Sequence, residues 1–128
     1  MEDRRRRLGE RGEEIVARTF QAGGGSILER NARVAGLRGE IDLVVLEGES
    51  IVFVEVKTRA AASWTGPDSP IAAVGPRKQA KLRSLAVAWL GQRAGAVPRN
   101  RGLRFDVVGL RLDANGRQTE YEHVRAAF

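Results

Sequence analysis

Two runs of apolar, largely β-branched residues, 41–46 and 51–56, stand on either side of Glu47-Gly48-Glu49-Ser50. Runs of this kind around a turn-forming tetrapeptide predict a β-hairpin. Side chains alternate faces along a strand, so Phe53, Glu55, Lys57 and Arg59 share one face while Val52, Val54 and Val56 share the other. With the turn centred on Gly48-Glu49, Glu47 pairs with Ser50, and the same register sets Asp42 opposite Glu55. Their Cβ atoms would then lie ~5 Å apart, where like charges destabilise a sheet. Two facing carboxylates with a lysine two residues beyond call for a cation.

The rest of the pattern reads as α/β. Residues 4–22 predict a helix, with Leu8, Ile15, Val16, Thr19 and Phe20 on one side at helical spacing. Glu10 and Glu14 project away from that stripe. Glu13 lies at its edge, which makes it the acid best placed to approach a sheet; the alternative is a boundary residue paired with an arginine. Gly23-Gly24-Gly25 ends the helix, and residues 27–34 predict a first strand ahead of the hairpin. Residues 60–70 carry Ser63, Gly66, Pro67, Asp68 and Pro70 and read as an extended loop, in which Trp64 either meets a substrate or packs on the core. Residues 77–92 predict a second helix with Pro76 at its start. Leu82, Leu85, Ala86, Trp89 and Leu90 form its buried stripe, Arg77, Lys81 and Arg83 its basic flanks, and Lys78 lies on the inward side. After a Gly/Pro/Arg-rich connection, residues 103–112 predict a strand and 119–124 an edge strand. Residues 1–7 are expected to be mobile.

Each part of the charged constellation has a chemical reason. Carboxylate oxygens are the hard ligands that Mg²⁺ or Mn²⁺ prefers, commonly one or two of them with several waters retained. A lysine beside such a site can orient or activate the attacking water, or stabilise charge on a phosphate in the transition state. The chain has three lysines, Lys57, Lys78 and Lys81, against nineteen arginines. A compact ammonium thus stands where arginine is the default cation. The competing reading makes Glu55 and Lys57 ordinary residues on the polar face of a half-covered sheet.

Several blocks resemble the YraN-like family of small bacterial proteins predicted to be endonucleases, distantly similar to archaeal Holliday-junction resolvases. They are Gly12-Glu13, Asn31, Arg33, Gly39-Glu40-Ile41-Asp42-Leu43 and Val52-Phe53-Val54-Glu55-Val56-Lys57-Thr58-Arg59, with Lys78, Ala86 and Arg104-Phe105-Asp106-Val107 later. The resemblance spans residues 8–124. It implies the PD-(D/E)XK nuclease fold, with Asp42, Glu55 and Lys57 in the motif's three positions and Glu13 matching the additional helical acid of the resolvase branch. Two positions depart from the pattern. Ile41 rather than proline precedes the motif's aspartate, and Ala32 stands where an aromatic is common.

Composition narrows the classes. At 128 residues the chain is about one domain, and no run approaches the eighteen or so apolar residues of a membrane span. The N-terminus lacks the apolar stretch of a signal peptide, so a cytoplasmic address is expected. Without cysteine there are no disulfides, thiol nucleophiles or cysteine-ligated metals. The single histidine, His123, makes a zinc site a poor fit and reads as a strand or surface residue. A net charge of +6 and a pI near 10.9 favour a polyanionic partner, nucleic acid before membrane, and the endonuclease resemblance implies DNA before RNA. With 5% aromatic residues, backbone and shape contacts fit better than base stacking.

Together these predict a restriction-endonuclease-like α/β domain, a central mixed sheet flanked by helices, that hydrolyses phosphodiester bonds in DNA, branched or structured DNA included. Asp42 and Glu55 would hold Mg²⁺ or Mn²⁺, Lys57 would orient or activate water, and Glu13 would complete or tune the site. Arg59, Arg77, Lys78 and Lys81 are candidates for phosphate contacts. Resolvase-like enzymes act as dimers, which leaves a homodimer open. Two other readings compete: a nucleic-acid-binding module that keeps the fold without useful catalysis, and a small basic RNA- or ribosome-associated protein in which Asp42 and Glu55 are merely salt-bridged. In the last, Glu40 would face Lys57 across the hairpin.

Overall fold

The computed structural model describes residues 2–63 and 70–128. Helix α1 (Glu2–Ala22) is followed by strands β1 (Ser26–Ala32), β2 (Ile41–Glu47) and β3 (Ser50–Ala60). Two 3-10 turns, Ala61–Ser63 and Pro70–Ala73, lead to helix α2 (Pro76–Gln92) and strands β4 (Gly102–Leu112) and β5 (Gln118–Val124). The five strands form one sheet in the order β1-β2-β3-β4-β5. All neighbours are antiparallel except β3 and β4, which run parallel. A parallel pair cannot be closed by a tight turn and needs a crossover, which is the role of α2. This is a mixed sheet with a helix on each face, the α/β architecture of restriction-endonuclease-like proteins.

The hairpin register is the one that the turn chemistry predicts: Glu47 pairs with Ser50, and the ladder runs to Leu43 opposite Val54. Gly48 takes the turn with φ +59°. The alternation of faces also holds. Val52 and Val54 join Val16, Ala17 and Phe20 of α1 in one buried cluster, while Ile51 and Phe53 pack with Leu85, Ala86 and Trp89 of α2 in another. Because both faces of β3 are covered, residues 51–55 are all buried, Glu55 included.

Differences from the sequence reading lie at the edges. Helix α1 starts at Glu2, two residues before the expected start at Arg4, and the arginines of residues 4–7 lie exposed on its first turns. Strand β1 stops at Ala32, two residues short of expectation, because Asn31 turns the chain with φ +48°. The segment read as an extended loop begins instead with the Ala61–Ser63 3-10 turn. Trp64 lies outside the described residues. No helix among the described residues is long and apolar enough to cross a membrane.

One contact fixes α1 relative to β3. A Cβ built on Gly12 would fall 1.9 Å from Thr58 Oγ1 and 2.9 Å from Thr58 Cβ. Glycine at position 12 is what lets the helix backbone lie against the strand, and the next residue is Glu13.

Candidate active site

Asp42 leaves the ladder at the start of β2. Its Oδ2 accepts a hydrogen bond of 2.8 Å from the Val56 backbone N–H, so the carboxylate occupies the edge of β3 where a backbone carbonyl would otherwise pair. Its carboxyl also meets that of Glu55, a contact that requires one of the two to carry a proton. Burial first, then the shared proton and the charge of Glu55, push the Asp42 carboxyl far above its ordinary range. Glu55 is 5% exposed, and its Oε2 has no hydrogen bond of good geometry; Lys78 Nζ lies 3.2 Å from it as an ion pair.

Glu13 joins from the helix side. Its carboxyl rises from 4.5 to about 7, chiefly through burial and then through the charges of Glu40, Glu10 and Glu55. Asn31 ties this acid in place. With its amide nitrogen turned toward the carboxylates, the sense in which donors meet acceptors, it donates to Glu13 Oε1 at 2.8 Å and to Glu40 Oε1 at 3.1 Å. Glu40 pairs with Arg33 at 3.2 Å, so its cationic partner is Arg33 and not Lys57.

Thus the structure gathers Glu13, Asp42, Glu55 and Lys78 in one place, with Glu40 and Asn31 beside them. Lys57 follows Glu55 by two residues on the same face of β3, half-buried, and with Arg59 it lines a neighbouring cleft. Arg77 is exposed on the first turn of α2, and Lys81 is half-buried one turn on. Lys78, read from sequence as a phosphate contact, is engaged with Glu55. Asn31 and Glu40 were missed as site residues. Both stand in the blocks that carry the family resemblance, and Asn31 falls opposite Asp42 in the β1–β2 register, which runs from Arg30 opposite Leu43 to Ala32 opposite Ile41.

A second charged cluster lies elsewhere. Asp106 on β4 is fully buried and accepts from Arg104 Nε at 2.8 Å and the Ala126 backbone N–H at 3.1 Å, while His123 Nε2 lies 2.6 Å away. Burial alone would raise its carboxyl, but these hydrogen bonds outweigh burial and hold it below its ordinary value. Arg104 and Arg125 both also reach Glu47 at 2.6 Å. Here both oxygens of the buried Asp106 are matched to donors, the mark of a structural network. His123 is therefore a partner of Asp106 on strand β5.

The two clusters differ in how their carboxylates are satisfied. Among the described residues no three Asp, Glu or His side chains converge as a ready cage for a metal. Two abutting carboxyls, one with an oxygen lacking a well-aligned donor, nonetheless fit a hard divalent cation that takes one or two carboxylates and keeps its waters.

Comparison with known proteins gives the lineage. Residues 12–110 match the Uncharacterised protein family UPF0102, a stretch that includes Glu13, Asp42, Glu55, Lys57 and Lys78. The chain belongs to the UPF0102 family, the YraN family of the sequence motifs. It is 42% identical over 124 residues to a UPF0102 protein of Moorella thermoacetica, covering 97% of each chain. A UPF0102 protein of Streptomyces griseus is 41% identical over 118 residues, 92% of each chain. A third, from a Parafrankia species, is 43% identical over 123 residues, 95% of this chain and 96% of its own.

Proposed function

We propose that this UPF0102 protein is a metal-dependent endonuclease that hydrolyses phosphodiester bonds in DNA, branched or structured DNA included. The observation that carries the reading is the Asp42–Glu55 pair, two carboxyls in contact of which Glu55 Oε2 lacks a well-aligned hydrogen-bond donor, with Lys57 two residues after Glu55 on β3. A purely structural pair would be satisfied as Asp106 is.

Asp42 and Glu55 are the residues that would hold Mg²⁺ or Mn²⁺, with the Val56 carbonyl as a further candidate oxygen. When bound, a divalent ion supplies Lewis-acid polarisation and lowers the pKa of a bound water. Lys57 orients or activates the attacking water and stabilises charge on the phosphate. Glu13, held by Asn31 and neutral more readily than an exposed glutamate, tunes the charge of the site. Arg59, Arg77 and Lys81 offer phosphate contacts, as does Lys78 once released from Glu55.

The test is incubation of the purified protein with linear, flapped and four-way DNA in Mg²⁺, Mn²⁺ or EDTA. Cleavage in the metals and none in EDTA supports the reading. Metal-independent DNA binding without cleavage in any condition would favour the competing module that keeps the fold but not the chemistry.

A further inference from the structure

Beyond the end of the carboxylate site lies an open cleft of about 470 Å³, lined by residues of β3, β4, β5 and the Pro70–Ala73 turn. That volume falls in the ~300–1,000 Å³ range of small-ligand pockets. Its walls carry both signs of charge: Lys57 and Arg59 from β3, Arg111 from β4, and Glu120 and Glu122 from β5. Arg111 Nε and Glu120 Oε2 pair at 3.3 Å across part of it. The floor is fixed in shape, because Pro70 is buried and lies so close to Gly109 that any Cβ there would fall 2.4 Å from Pro70 Cγ.

Because Arg111 and Glu120 already hold each other, a ligand that suits these walls has an anionic end for Lys57, a flat body for the small and apolar residues, and an amine donor for Glu122. Inorganic phosphate satisfies only the first condition. A nucleotide satisfies all three. We propose that this cleft is a single-nucleotide pocket, which receives one unpaired nucleotide of a DNA strand beside the bond to be cut. The inference deepens the endonuclease reading, and it rests on that reading for the placement of the bond, because Lys57 is common to both sites. It also gives a physical reason for preferring distorted DNA. A paired base must be unstacked to enter such a pocket, a cost that an unpaired base does not incur.

The experiment is run without metal, in EDTA, so that nothing is cut. Amide shifts of the isotope-labelled protein are followed while deoxyguanosine monophosphate, or inorganic phosphate alone, is added. In parallel, fluorescence anisotropy compares a DNA hairpin carrying a one-nucleotide bulge with the same hairpin lacking it. Saturable shifts at Gly109, Leu110 and Tyr121 with the nucleotide but not with phosphate are expected, and about tenfold tighter binding of the bulged hairpin. Ala73→Phe, which fills the cleft, should abolish both. Glu122→Gln, an exposed change on β5 that leaves packing alone, should weaken both. Shifts identical with phosphate, shifts confined to other surfaces, equal affinity for the two hairpins, or no effect of either variant would each overturn the pocket. None of these outcomes bears on the metal site, which the metal-dependent melting shift tests separately.

Discussion

Lys78 Nζ lies 3.2 Å from Glu55 Oε2, so the first turn of α2 sets a cation against a carboxylate that is almost fully buried. An ammonium and a divalent ion would compete for that oxygen. Lys78→Met should therefore lower metal-free stability, by roughly 1–2 kcal/mol. That is less than a fully buried pair would cost, because the lysine itself is well exposed. Added Mn²⁺ should raise the melting temperature of the variant by more than that of the wild type. Thermal denaturation with and without Mn²⁺ checks this, and equal shifts in the two proteins would show that the lysine and the ion do not share Glu55.

Gly12 is expected to be the residue through which packing controls the site. Gly12→Ala forces a methyl group onto Thr58, an overpacking that costs typically about 1–3 kcal/mol. The helix must move, and Glu13 moves with it. Thr58 Oγ1 is buried without a hydrogen-bond partner, so Thr58→Ala alone should be close to neutral. Adding it to Gly12→Ala should recover part of the loss. Chemical denaturation of the two single variants and the double variant measures the coupling, and additive losses would remove the steric explanation.

How much of this could be read from the sequence depends on how local the cause is. The hairpin register followed from one turn, and with it came the Asp42–Glu55 confrontation, because period-two alternation carries a register along the strand without further information. Helix α1 and its stripe followed from the 3.6-residue period in the same way. Asn31 did not, since a left-handed residue inside a strand-like run has no signature before the chain is seen to bend there. The Asp106 network was equally hidden. Arg104 and Asp106 share a face of β4 by alternation, but His123, Arg125 and Glu47 arrive from β5, the C-terminal tail and β2 only once the sheet is assembled. Lys78 was visible as an inward-facing lysine, yet its partner Glu55 was set by the crossover of α2, which no local pattern encodes.

If the basic surface tracks phosphates, affinity for DNA should fall steeply with salt, with a log–log slope of about −0.9 for each phosphate neutralised. Arg77→Ala and Lys81→Ala, on the first turns of α2, should weaken binding across sequences and make that slope shallower by about 1 apiece. Anisotropy titrations over a range of salt concentrations provide the measurement. Binding that ignores salt, or no binding at low salt, would count against a nucleic-acid partner.

Lys57→Ala should separate the lysine from the metal ligands. Metal-induced stabilisation should stay near the wild-type level, while cleavage falls by a factor in the ~10²–10⁴ range of positioned proton-transfer groups. Lys57→Arg should restore little, because a planar guanidinium does not occupy the place of a compact ammonium. Cleavage rates and melting shifts on the same preparations decide it. Wild-type rates in either variant would reduce Lys57 to a wall of the cleft.

The facing carboxyls also predict an inverted pH dependence. A carboxyl whose folded pKa is raised keeps its proton more tightly in the native state. Its contribution to stability is full below its ordinary value and is lost as pH rises through the folded one. Glu13, raised from 4.5 to about 7, and Asp42, raised further, should make the metal-free protein less stable as pH climbs through and beyond that interval. Asp106 and Glu47, whose carboxyls are lowered, act in the opposite limb and lose their contribution as pH falls. Asp42→Asn isolates the first effect. Its amide oxygen can still accept the Val56 N–H, and it brings no charge, so the variant should match or exceed the metal-free wild type in stability. The excess should grow with pH. A divalent ion replaces the protons it displaces, so its stabilisation of the wild type should also grow with pH. In Asp42→Asn both that stabilisation and cleavage should be lost. Melting curves from pH 5 to 9, with and without Mn²⁺, measure all of this (about two units either side of Glu13's folded value). If Asp42→Asn is instead the less stable protein at every pH, and Mn²⁺ leaves the wild type unmoved, Asp42 is a structural residue and the metal-dependent reading fails.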